Sequence, residues 1–283
     1  MDAIKTLLER QPRTANANLP VELQELYGGD LAFPADSTKP YVFANFAATL
    51  DGVVSFKIPG KSGGGEISGH NAADRFIMGL LRASADAVLV GAGTFTDVAA
   101  SSLWTAEDVW PDGREMFRRY RAGREEHPLN VIVSGSGRLD VTRAAFRTSD
   151  PKTVVLTTSE GKERIDGACK RAGCSVQTRA VEDGPRIKAA KMIEILQREF
   201  DVRLLLHEGG PELFGQFLRE HLIDELFLTI APQIAGRDSA ADRLALVRDA
   251  AFAPENAPWL KLLSAKHSGD HLFLRYDFSA QVP

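Results

Sequence analysis

Cysteine is nearly absent from this chain, which has two among its 283 residues. Cys169 and Cys174 are too few for a disulfide framework, and no histidine lies near them at the spacing of a zinc site. We therefore expect both to be structural thiols. Since the sequence also has no disulfide framework and no apolar stretch typical of a secretory signal, the predicted location is the cytoplasm.

The chain also has no long hydrophobic run and no excess of basic residues. No stretch approaches the ~18 consecutive apolar residues of a membrane span. The formal net charge of −4 argues against a nucleic-acid partner. There is no G-x-S-x-G nucleophile elbow and no cluster of histidines, so neither serine hydrolysis nor a metal ion is expected. The composition that remains is typical of a globular enzyme acting on a small molecule.

Short aliphatic runs alternate with amphipathic segments along most of the chain. The runs predict strands at residues 41–48, 86–90, 130–133, 153–156, 175–178, 202–206, 225–230 and 272–277. Apolar residues at helical spacing predict helices at residues 73–81, 115–121, 160–172, 187–200 and 211–222. This alternation indicates a mainly parallel sheet covered on both faces. We expect an N-terminal extension at 1–40, with a short helix at 21–27, and one α/β domain at 41–283.

The most informative motif is residues 204–218, LLLHEGGPELFGQFL. A strand ends before Glu208, and Gly209 and Gly210 precede Pro211, a residue favoured at the first position of a helix. Glycines let a ligand approach bare backbone N–H groups, and a helix N-terminus adds partial positive charge. The motif therefore predicts a phosphate-binding site with the carboxylate of Glu208 directly before it.

Two other predicted strands also end in glycine. The segment 88–94 (VLVGAGT) has only G-x-G spacing, which is equally consistent with a tight turn. The segment 131–138 (VIVSGSGR) ends in small residues beside Arg138. It suits the 2′-phosphate that separates NADP from NAD, or else a flexible turn with a solvated arginine. Ligands bind at the carboxyl ends of parallel strands, so three such ends indicate an extended ligand with more than one phosphate.

Three further segments leave alternatives open. The segment 45–52 (NFAATLDG) has small residues that leave room for a flat ring, but it also suits a simple strand end and turn. The glycine-rich segment 62–69 (SGGGEISG) is either a mobile flap over a site or a plain surface loop. Asp97, three residues after Thr94, is a candidate for chemistry, a solvated residue or a helix cap.

The chain resembles the reductase domain of riboflavin biosynthesis in six segments that follow one another in order: NFAATLDG (45–52), ISG (67–69), LLRASADAVLVGAGTF (80–95), LLLHEGGPELFGQFL (204–218), LIDELFLTIAPQIAG (222–236) and HLFLRY (271–276). The resemblance implies a three-layer α/β/α sandwich similar in fold to dihydrofolate reductase, with NADPH as cofactor and a homodimer. It implies a small-molecule substrate, 5-amino-6-(5-phosphoribosylamino)uracil or a close analogue, whose ribosylamino group is reduced to the ribityl form.

The same resemblance assigns roles to individual residues. The cofactor-binding residues would be Ala47, Gly91, Ala92, Gly93, Thr94, Ser134, Gly135, Ser136, Gly137, Gly209, Gly210, Pro211, Glu212 and Leu213. The substrate-binding residues would be Asn45, Thr49 and Ser68. Glu208 is the first catalytic candidate, because a carboxylate can stabilise the cation formed when an imine acceptor is protonated. Asp51 and Asp97 are the weaker candidates.

Two departures from the family's pattern bear on the substrate. The family usually has lysine where this chain has Asn45, and it usually has Asp-Asp-Pro with a nearby arginine where this chain has Asp97-Val98-Ala99. Those cations help to recognise the substrate phosphate. The zinc deaminase motif of fused relatives is also absent. The alternatives are therefore a dihydrofolate or pterin reductase paralogue, or a non-catalytic NADPH-binding protein.

Overall fold

A computed structural model describes residues 1–10, 19–34, 38–58, 61–174, 176–182, 187–238 and 241–278. The strands are β1 (Lys5–Glu9), β2 (Tyr41–Thr49), β3 (Val53–Ser55), β4 (Ala87–Gly91), β5 (Leu129–Ser134), β6 (Thr153–Thr158), β7 (Gln177–Glu182), β8 (Leu204–His207), β9 (Glu225–Ala231), β10 (Leu244–Ala245), β11 (Lys261–Ser268) and β12 (His271–Asp277). The helices are α1 (Val21–Tyr27), α2 (Gly64–Ser68), α3 (Ala72–Ser84), α4 (Ala92–Asp97), α5 (Ala106–Val109), α6 (Arg114–Tyr120), α7 (Ser159–Ala172), α8 (Ala189–Phe200) and α9 (Pro211–Arg219).

Every strand and helix predicted from the sequence has a counterpart among these elements. The predicted strand 175–178 is shifted to β7, and its first residue, Ser175, lies outside the described residues. Four strands and three short helices were not predicted from the sequence: β1, β3, β10, β11, α2, α4 and α5. Strand β11 was missed because polar residues interrupt the run KLLSAKHS, so that no continuous apolar segment marks the strand.

Ten strands form one sheet, in the order β1-β11-β12-β9-β2-β8-β4-β5-β6-β7. From β9 to β7 each strand runs parallel to its neighbour. The strands β9, β12, β11 and β1 pair antiparallel. The predicted mainly parallel sheet is therefore confirmed, and an antiparallel segment extends it on one side.

Helices cover both faces of the parallel part of the sheet. Val88 and Val90 of β4 belong to one core with residues of α3, α6 and α7, whereas Leu89 belongs to the other core with residues of α8 and α9. Because both faces of the strand are buried, it has a continuous apolar sequence and not an alternating one. The expected three-layer α/β/α sandwich is confirmed.

Helix α3 places two charged residues in the interior. The side chain of Asn71 caps it by accepting hydrogen bonds from the backbone N–H groups of Ala73 (2.9 Å) and Asp74 (3.1 Å). Asp74 in the first turn is 4% exposed, and Arg82 near the end is 5% exposed. Charged residues are rarely buried without partners, so these two mark the helix as part of a site.

The N-terminal extension is built into the sheet. Strand β1 pairs antiparallel with β11. Lys266 of β11 is 1% exposed, and its Nζ donates to Thr6 Oγ1 and a Glu9 carboxylate oxygen, both at 2.9 Å, and to the Gly28 carbonyl at 3.0 Å. A buried ammonium group is costly unless it is paired and hydrogen-bonded. Lys266 therefore holds β1 and Gly28, the residue that ends α1, against β11 by hydrogen bonds.

A buried ion pair connects the extension to the middle of the sheet. Arg275 of β12 donates to both carboxylate oxygens of Glu225 on β9, at 2.7 and 3.0 Å, and to the carbonyl of Ala32 at 2.8 Å. The hydroxyl of Tyr41 on β2 donates to the same carboxylate at 2.7 Å. Burial, followed by the charge of Glu225, raises the pKa of Tyr41. The network thus holds three strands and the extension in one arrangement.

The glycine-rich segment 62–69 is not a plain surface loop. Its centre forms α2, and Ile67 is 0% exposed and packs with Ala47 and Val53 in a small separate core. Gly63, Gly64 and Gly65 line a cavity, as a flap over a site would. The mobility of the segment stays a prediction.

Candidate functional site

The carboxyl ends of β2, β8, β4 and β5 open onto one cavity of about 1940 Å³. Strand β8 lies between β2 and β4, and β5 follows β4. The three strand ends that carry glycine are therefore neighbours, as the sequence predicted. Small-molecule sites usually measure roughly 300–1,000 Å³, so this cavity has room for an extended ligand together with a second molecule.

The loops after β4 and β8 face each other across this cavity. A Cβ added to Gly91 would lie 3.7 Å from a methyl carbon of Leu213, and one added to Gly210 would lie 3.5 Å from Thr94 Oγ1. A Cβ added to Gly93 would meet no atom within 4 Å. The backbone at Gly93 is therefore bare toward open space. All the predicted cofactor-binding residues of these two loops line the cavity, namely Gly91, Ala92, Gly93, Thr94, Gly209, Gly210, Pro211, Glu212 and Leu213.

At the end of β5, only some of the residues predicted to bind the cofactor line the cavity. Ser134, Gly135 and Ser136 line the cavity, as predicted, but Gly137 does not. Gly137 has φ of 64° and packs against the backbone of Gly161, at the start of α7. A side chain at Gly137 would be strained and would collide with that helix. Its role is therefore to let the loop approach α7, and the prediction of a ligand contact at Gly137 is not supported.

The arginine whose side chain contacts this loop is different from the one that the sequence suggested. Arg138 is exposed and does not line the cavity. Arg164, on α7, donates to the carbonyl of Ser136 and to the carboxylate of Glu160. Arg164 was not predicted as a contact of this loop, because nothing in the sequence marks the second turn of α7 as adjacent to it.

Glu208, the first catalytic candidate, lies in the cavity wall as half of a buried ion pair. Arg82 Nε lies 3.0 and 3.2 Å from its two carboxylate oxygens, and Arg82 Nη2 lies 2.7 Å from Oε2. The two side chains are 6% and 9% exposed. Arg82 Nη1 also donates to the carbonyl of Thr105 at 3.1 Å. This bidentate contact fixes the position of the carboxylate and balances its charge.

Arg82 was missed as a site residue, although it lies inside a segment that carries the family resemblance. Asp74 was missed as well, and it too lines the cavity. Burial raises the pKa of Asp74, and the nearby hydroxyls of Thr229 and Ser68 oppose the rise. Its Oδ2 has no hydrogen-bond partner among the described residues. Both residues sit in a helix, where charged positions are usually solvent-facing, so periodicity gave no signal for them.

The remaining predicted residues divide into two groups. Asn45 and Ala47 at the end of β2, and Asp97 at the end of α4, line the cavity. Thr49, Asp51 and Ser68 do not line it. Ser68 is buried behind the cavity wall, with 1% of its surface exposed.

Thr49 and Asp51 stabilise a turn. Thr49 Oγ1 donates to Asp51 Oδ1 at 2.6 Å, and the Asp51 carboxylate accepts from the backbone N–H groups of Ala235 (3.0 Å) and Gly236 (2.7 Å). The hydrogen bond from Thr49, followed by that from Ala235, lowers the pKa of Asp51 to about 2. The catalytic role expected for Asp51 is therefore not supported, because its acceptor oxygens are occupied outside the cavity.

His207 lies beneath the glycine pair and away from Glu208, as the alternation of a strand requires. Its ring is 0% exposed and packs between Phe214 and Phe217, at centroid distances of 5.7 and 4.9 Å. A Cβ added to Gly209 would lie 3.0 Å from His207 Cε1. Burial lowers the pKa of His207 to about 4. The imidazole is therefore neutral at physiological pH, and it packs beneath the loop that contains Gly209 and Gly210.

Within the described ranges, no group of three or more histidine, cysteine, aspartate or glutamate residues could hold a metal ion. His267 and His271 are four residues apart, but they lie on the two strands of a hairpin and not on one helix. None of the helices in the described part of the chain is long and apolar enough to cross a membrane.

Residues 40–271 match the family described as the RibD C-terminal domain. The chain belongs to this family. Two archaeal relatives are each named 2,5-diamino-6-ribosylamino-4(3H)-pyrimidinone 5′-phosphate reductase. The protein from Archaeoglobus fulgidus is 32% identical over 203 residues, covering 71% of this chain and 84% of that one. The protein from Methanothermobacter thermautotrophicus is 32% identical over 198 residues, covering 70% of this chain and 80% of that one.

Solved structures of RibD-type proteins have the same fold. A pyrimidine reductase-like protein from Corynebacterium diphtheriae matches 90% of this chain and 97% of its own, with a TM-score of 0.66 and 20% identity. A diaminohydroxyphosphoribosylaminopyrimidine deaminase/5-amino-6-(5-phosphoribosylamino)uracil reductase from Thermotoga maritima matches 84% of this chain and 56% of its own, with a TM-score of 0.59 and 21% identity. The resemblance read from the sequence is thereby confirmed at the level of family and fold.

Replacing His207 with leucine should reduce the acid sensitivity of this RibD C-terminal domain. The histidine takes up a proton near pH 6.5 in the unfolded chain but only at about pH 4 in the folded one. Wild-type stability is therefore lost as the pH falls from 6.5 toward 4, by about 2 kcal/mol at pH 5. Urea unfolding near pH 7.5 and pH 5 gives the free energy of unfolding at each pH. Between the two, His207→Leu should lose about 2 kcal/mol less of this free energy than wild type does. An equal pH dependence in both proteins would contradict a neutral buried imidazole.

Proposed function

We propose that the protein is an NADPH-dependent reductase of riboflavin biosynthesis, which reduces the ribosylamino group of a 6-ribosylaminopyrimidine 5′-phosphate to the ribityl form. The observation that carries the proposal is the cavity itself, where two facing glycine loops lie beside a buried carboxylate. The names of the two archaeal relatives support the same reaction class. Their substrate is a diaminopyrimidinone, and the uracil analogue expected from the sequence differs from it at one ring position.

The cofactor site is formed by the ends of β4, β5 and β8. The pyrophosphate of NADPH would lie between Gly93 and Gly210, where backbone N–H groups are bare and α9 begins. Ala47, buried at the end of β2, leaves space for the nicotinamide ring. The cofactor would supply the hydride, and the protein must hold the acceptor carbon at near-attack distance. Ser134, Gly135 and Ser136, which line the cavity at the end of β5, would contact the 2′-phosphate.

Glu208 acts on the substrate and Arg82 positions it. An imine carbon accepts hydride more readily when its nitrogen is protonated, and a fixed carboxylate stabilises the cation that results. Because Arg82 binds both oxygens of Glu208, the carboxylate is already in place before the substrate arrives. Preorganised groups of this kind need no rearrangement during the reaction.

The cavity also offers cations for the substrate phosphate in place of those that the family usually has. Arg75 of α3 and Lys57, just after β3, both line it, and Lys57 Nζ is already paired with the Asp242 carboxylate at 2.5 Å. Arg75 Nε donates to the carbonyl of Val109 at 2.8 Å, which leaves its terminal nitrogens for an anion. A phosphorylated substrate is therefore compatible with asparagine at position 45.

The protein is further proposed to be a cytoplasmic homodimer. The face of the antiparallel strands on the side of α8 and α9 has a row of half-exposed apolar residues, and none of the described helices lies over it: Leu228, Ile230, Leu272, Leu274 and Tyr276. Contiguous apolar surface of this kind marks an interface.

Glu208→Gln should lower kcat by roughly 10²-fold or more, because the amide cannot stabilise the cation. The dissociation constant for NADPH should stay within a few-fold of wild type. Absorbance of reduced nicotinamide with the ribosylaminopyrimidine phosphate measures turnover, and fluorescence titration measures binding. Glu163→Gln, an exposed change on α7, is the matched control. Wild-type turnover in Glu208→Gln would remove the carboxylate from the chemistry.

Gly93→Ala should weaken NADPH binding at least about tenfold, because the new Cβ enters the space assigned to the pyrophosphate. The unliganded protein should not lose stability, since alanine is the better helix residue. Thermal shift with NADPH, NADH and no ligand measures both effects, and ligand at 100 times its dissociation constant adds about 2.7 kcal/mol. Gly167→Ala in α7 is the control. No shift of the wild-type protein with either nucleotide would reject the cofactor site.

Leu274→Glu should convert the dimer into a monomer, because a charge at the centre of the apolar row cannot be buried without a partner. Sedimentation velocity measures the change. Val21→Glu, at a more exposed apolar position on α1, should leave the mass unchanged. A monomeric wild-type protein at micromolar concentration would reject the homodimer.

A further inference from the structure

The two cysteines of the chain meet at the end of α7. The helix ends at Ala172, and Gly173 follows in the left-handed conformation, with φ of 65° and ψ of 36°. The backbone N–H of Cys174 then donates to the carbonyl of Cys169 at 3.1 Å. This is the long hydrogen-bonded turn of a Schellman motif, in which the side chains of the two bonded residues are frequently in contact.

The same hydrogen bond limits the separation of the two cysteines. Because a carbonyl oxygen lies about 2.4 Å from its own Cα and an amide nitrogen about 1.5 Å from its own, the two Cα atoms are at most about 7 Å apart. Disulfides usually join Cα atoms roughly 4.4–6.8 Å apart. The thiols also interact directly, since burial, followed by the hydrogen bond with the Cys174 side chain, raises the pKa of Cys169 to about 12. A bond between the two sulfurs therefore needs little movement of the backbone.

The two thiols differ in their access to solvent. Cys169 is 6% exposed and belongs to the same core as Val88 and Val90. Cys174 is half-buried and follows the exposed Gly173, where an added Cβ would meet no atom within 4 Å. A small oxidant can therefore reach Cys174, whereas Cys169 can be reached only from Cys174.

We propose that Cys169 and Cys174 are a reversible dithiol–disulfide site that is oxidised by small-molecule disulfides. The Cys174 thiolate attacks one sulfur of the small disulfide, which forms a mixed disulfide and releases one thiolate. Cys169 then gives up its proton to water and attacks the sulfur of Cys174, which closes the bond within the chain and releases the second thiolate. Two electrons pass from the cysteines to the small disulfide, which leaves as two thiols.

The predicted cytoplasmic location favours a transient bond over a permanent one. Thiols are kept reduced in that compartment, and the disulfides that do form there are mostly catalytic or redox-sensing. Neither cysteine lines the cavity. The other end of α7, at Gly161, packs against the loop after β5. The dithiol site is therefore independent of the proposed reductase function.

The test uses the full chain, reduced, freed of reductant and incubated with oxidised glutathione before its remaining thiols are blocked. Trypsin cuts after Lys170 and Arg171, so the two cysteines fall in separate peptides, 165–170 and 172–179. Mass spectrometry should find these two peptides joined, in a chain that is lighter by two hydrogen atoms. Dithiothreitol should then restore both free thiols.

Two serine variants show which thiol reacts first. Cys169→Ser should accumulate the mixed disulfide of Cys174 with glutathione at least about tenfold above wild type, because no second thiol resolves it. Cys174→Ser should keep Cys169 as a free thiol under the same conditions, because that thiol is buried. Ala168→Ser, the matched control in the same turn of α7, should form the disulfide as wild type does.

Two free thiols in the wild type after oxidation would overturn the proposal, and so would glutathione adducts without the joined peptides. A bond that persists in dithiothreitol would contradict reversibility. The order of the steps would be wrong if Cys169 in Cys174→Ser reacted as fast as Cys174 does in Cys169→Ser. NADPH oxidation with the ribosylamino substrates tests the reductase function separately, and its failure leaves these outcomes unaffected.

Discussion

The parallel pairing of β2, β8, β4 and β5 is the constraint on which the site depends. The register places His207 of β8 opposite Ala44 of β2 and Leu89 of β4, so the residues after β8 lie beside the second half of β2 and the end of β4. Four segments far apart in sequence are thereby brought to one edge of the sheet. This edge is where open α/β sheets bind ligands. The cavity, its glycine loops and its acidic wall all follow from that alignment.

The sequence was sufficient for the features that local pattern determines. Short apolar runs marked the parallel strands, because strands buried on both faces have no alternation. Glycine after a strand marked the loops that need bare backbone. The polar contacts between distant elements were not predictable in this way. Arg82 and Glu208 are separated by 126 residues, and nothing in either local sequence shows that α3 crosses the end of β8.

Two further residues, Lys266 and Asp74, were not predicted because they are charged and yet buried. Lys266 and Asp74 are in segments where a charged residue normally indicates the solvent side, yet both are almost completely buried. For Asp51 the sequence predicted a catalytic role and the structure shows a turn. An aspartate beside glycine after a strand suits both roles equally well. Only the position of Ala235 and Gly236, contributed by a distant loop, distinguishes the two roles. Residue type and spacing therefore identify where a site is more reliably than which of its carboxylates acts.

The pairing of β1 with β11 has a consequence for the synthesis of the chain. Lys5 pairs with His267, so one edge of the sheet joins two segments that are far apart in sequence, as the 260 residues between Thr6 and Lys266 show. Contacts of such long sequence separation form late, because a large loop must close first. Until residue 268 has left the ribosome, the apolar residues of α1 have no completed sheet to cover. The nascent protein therefore carries β1 as an unpaired strand until β11 has been made, a state in which segments of this kind are prone to aggregate.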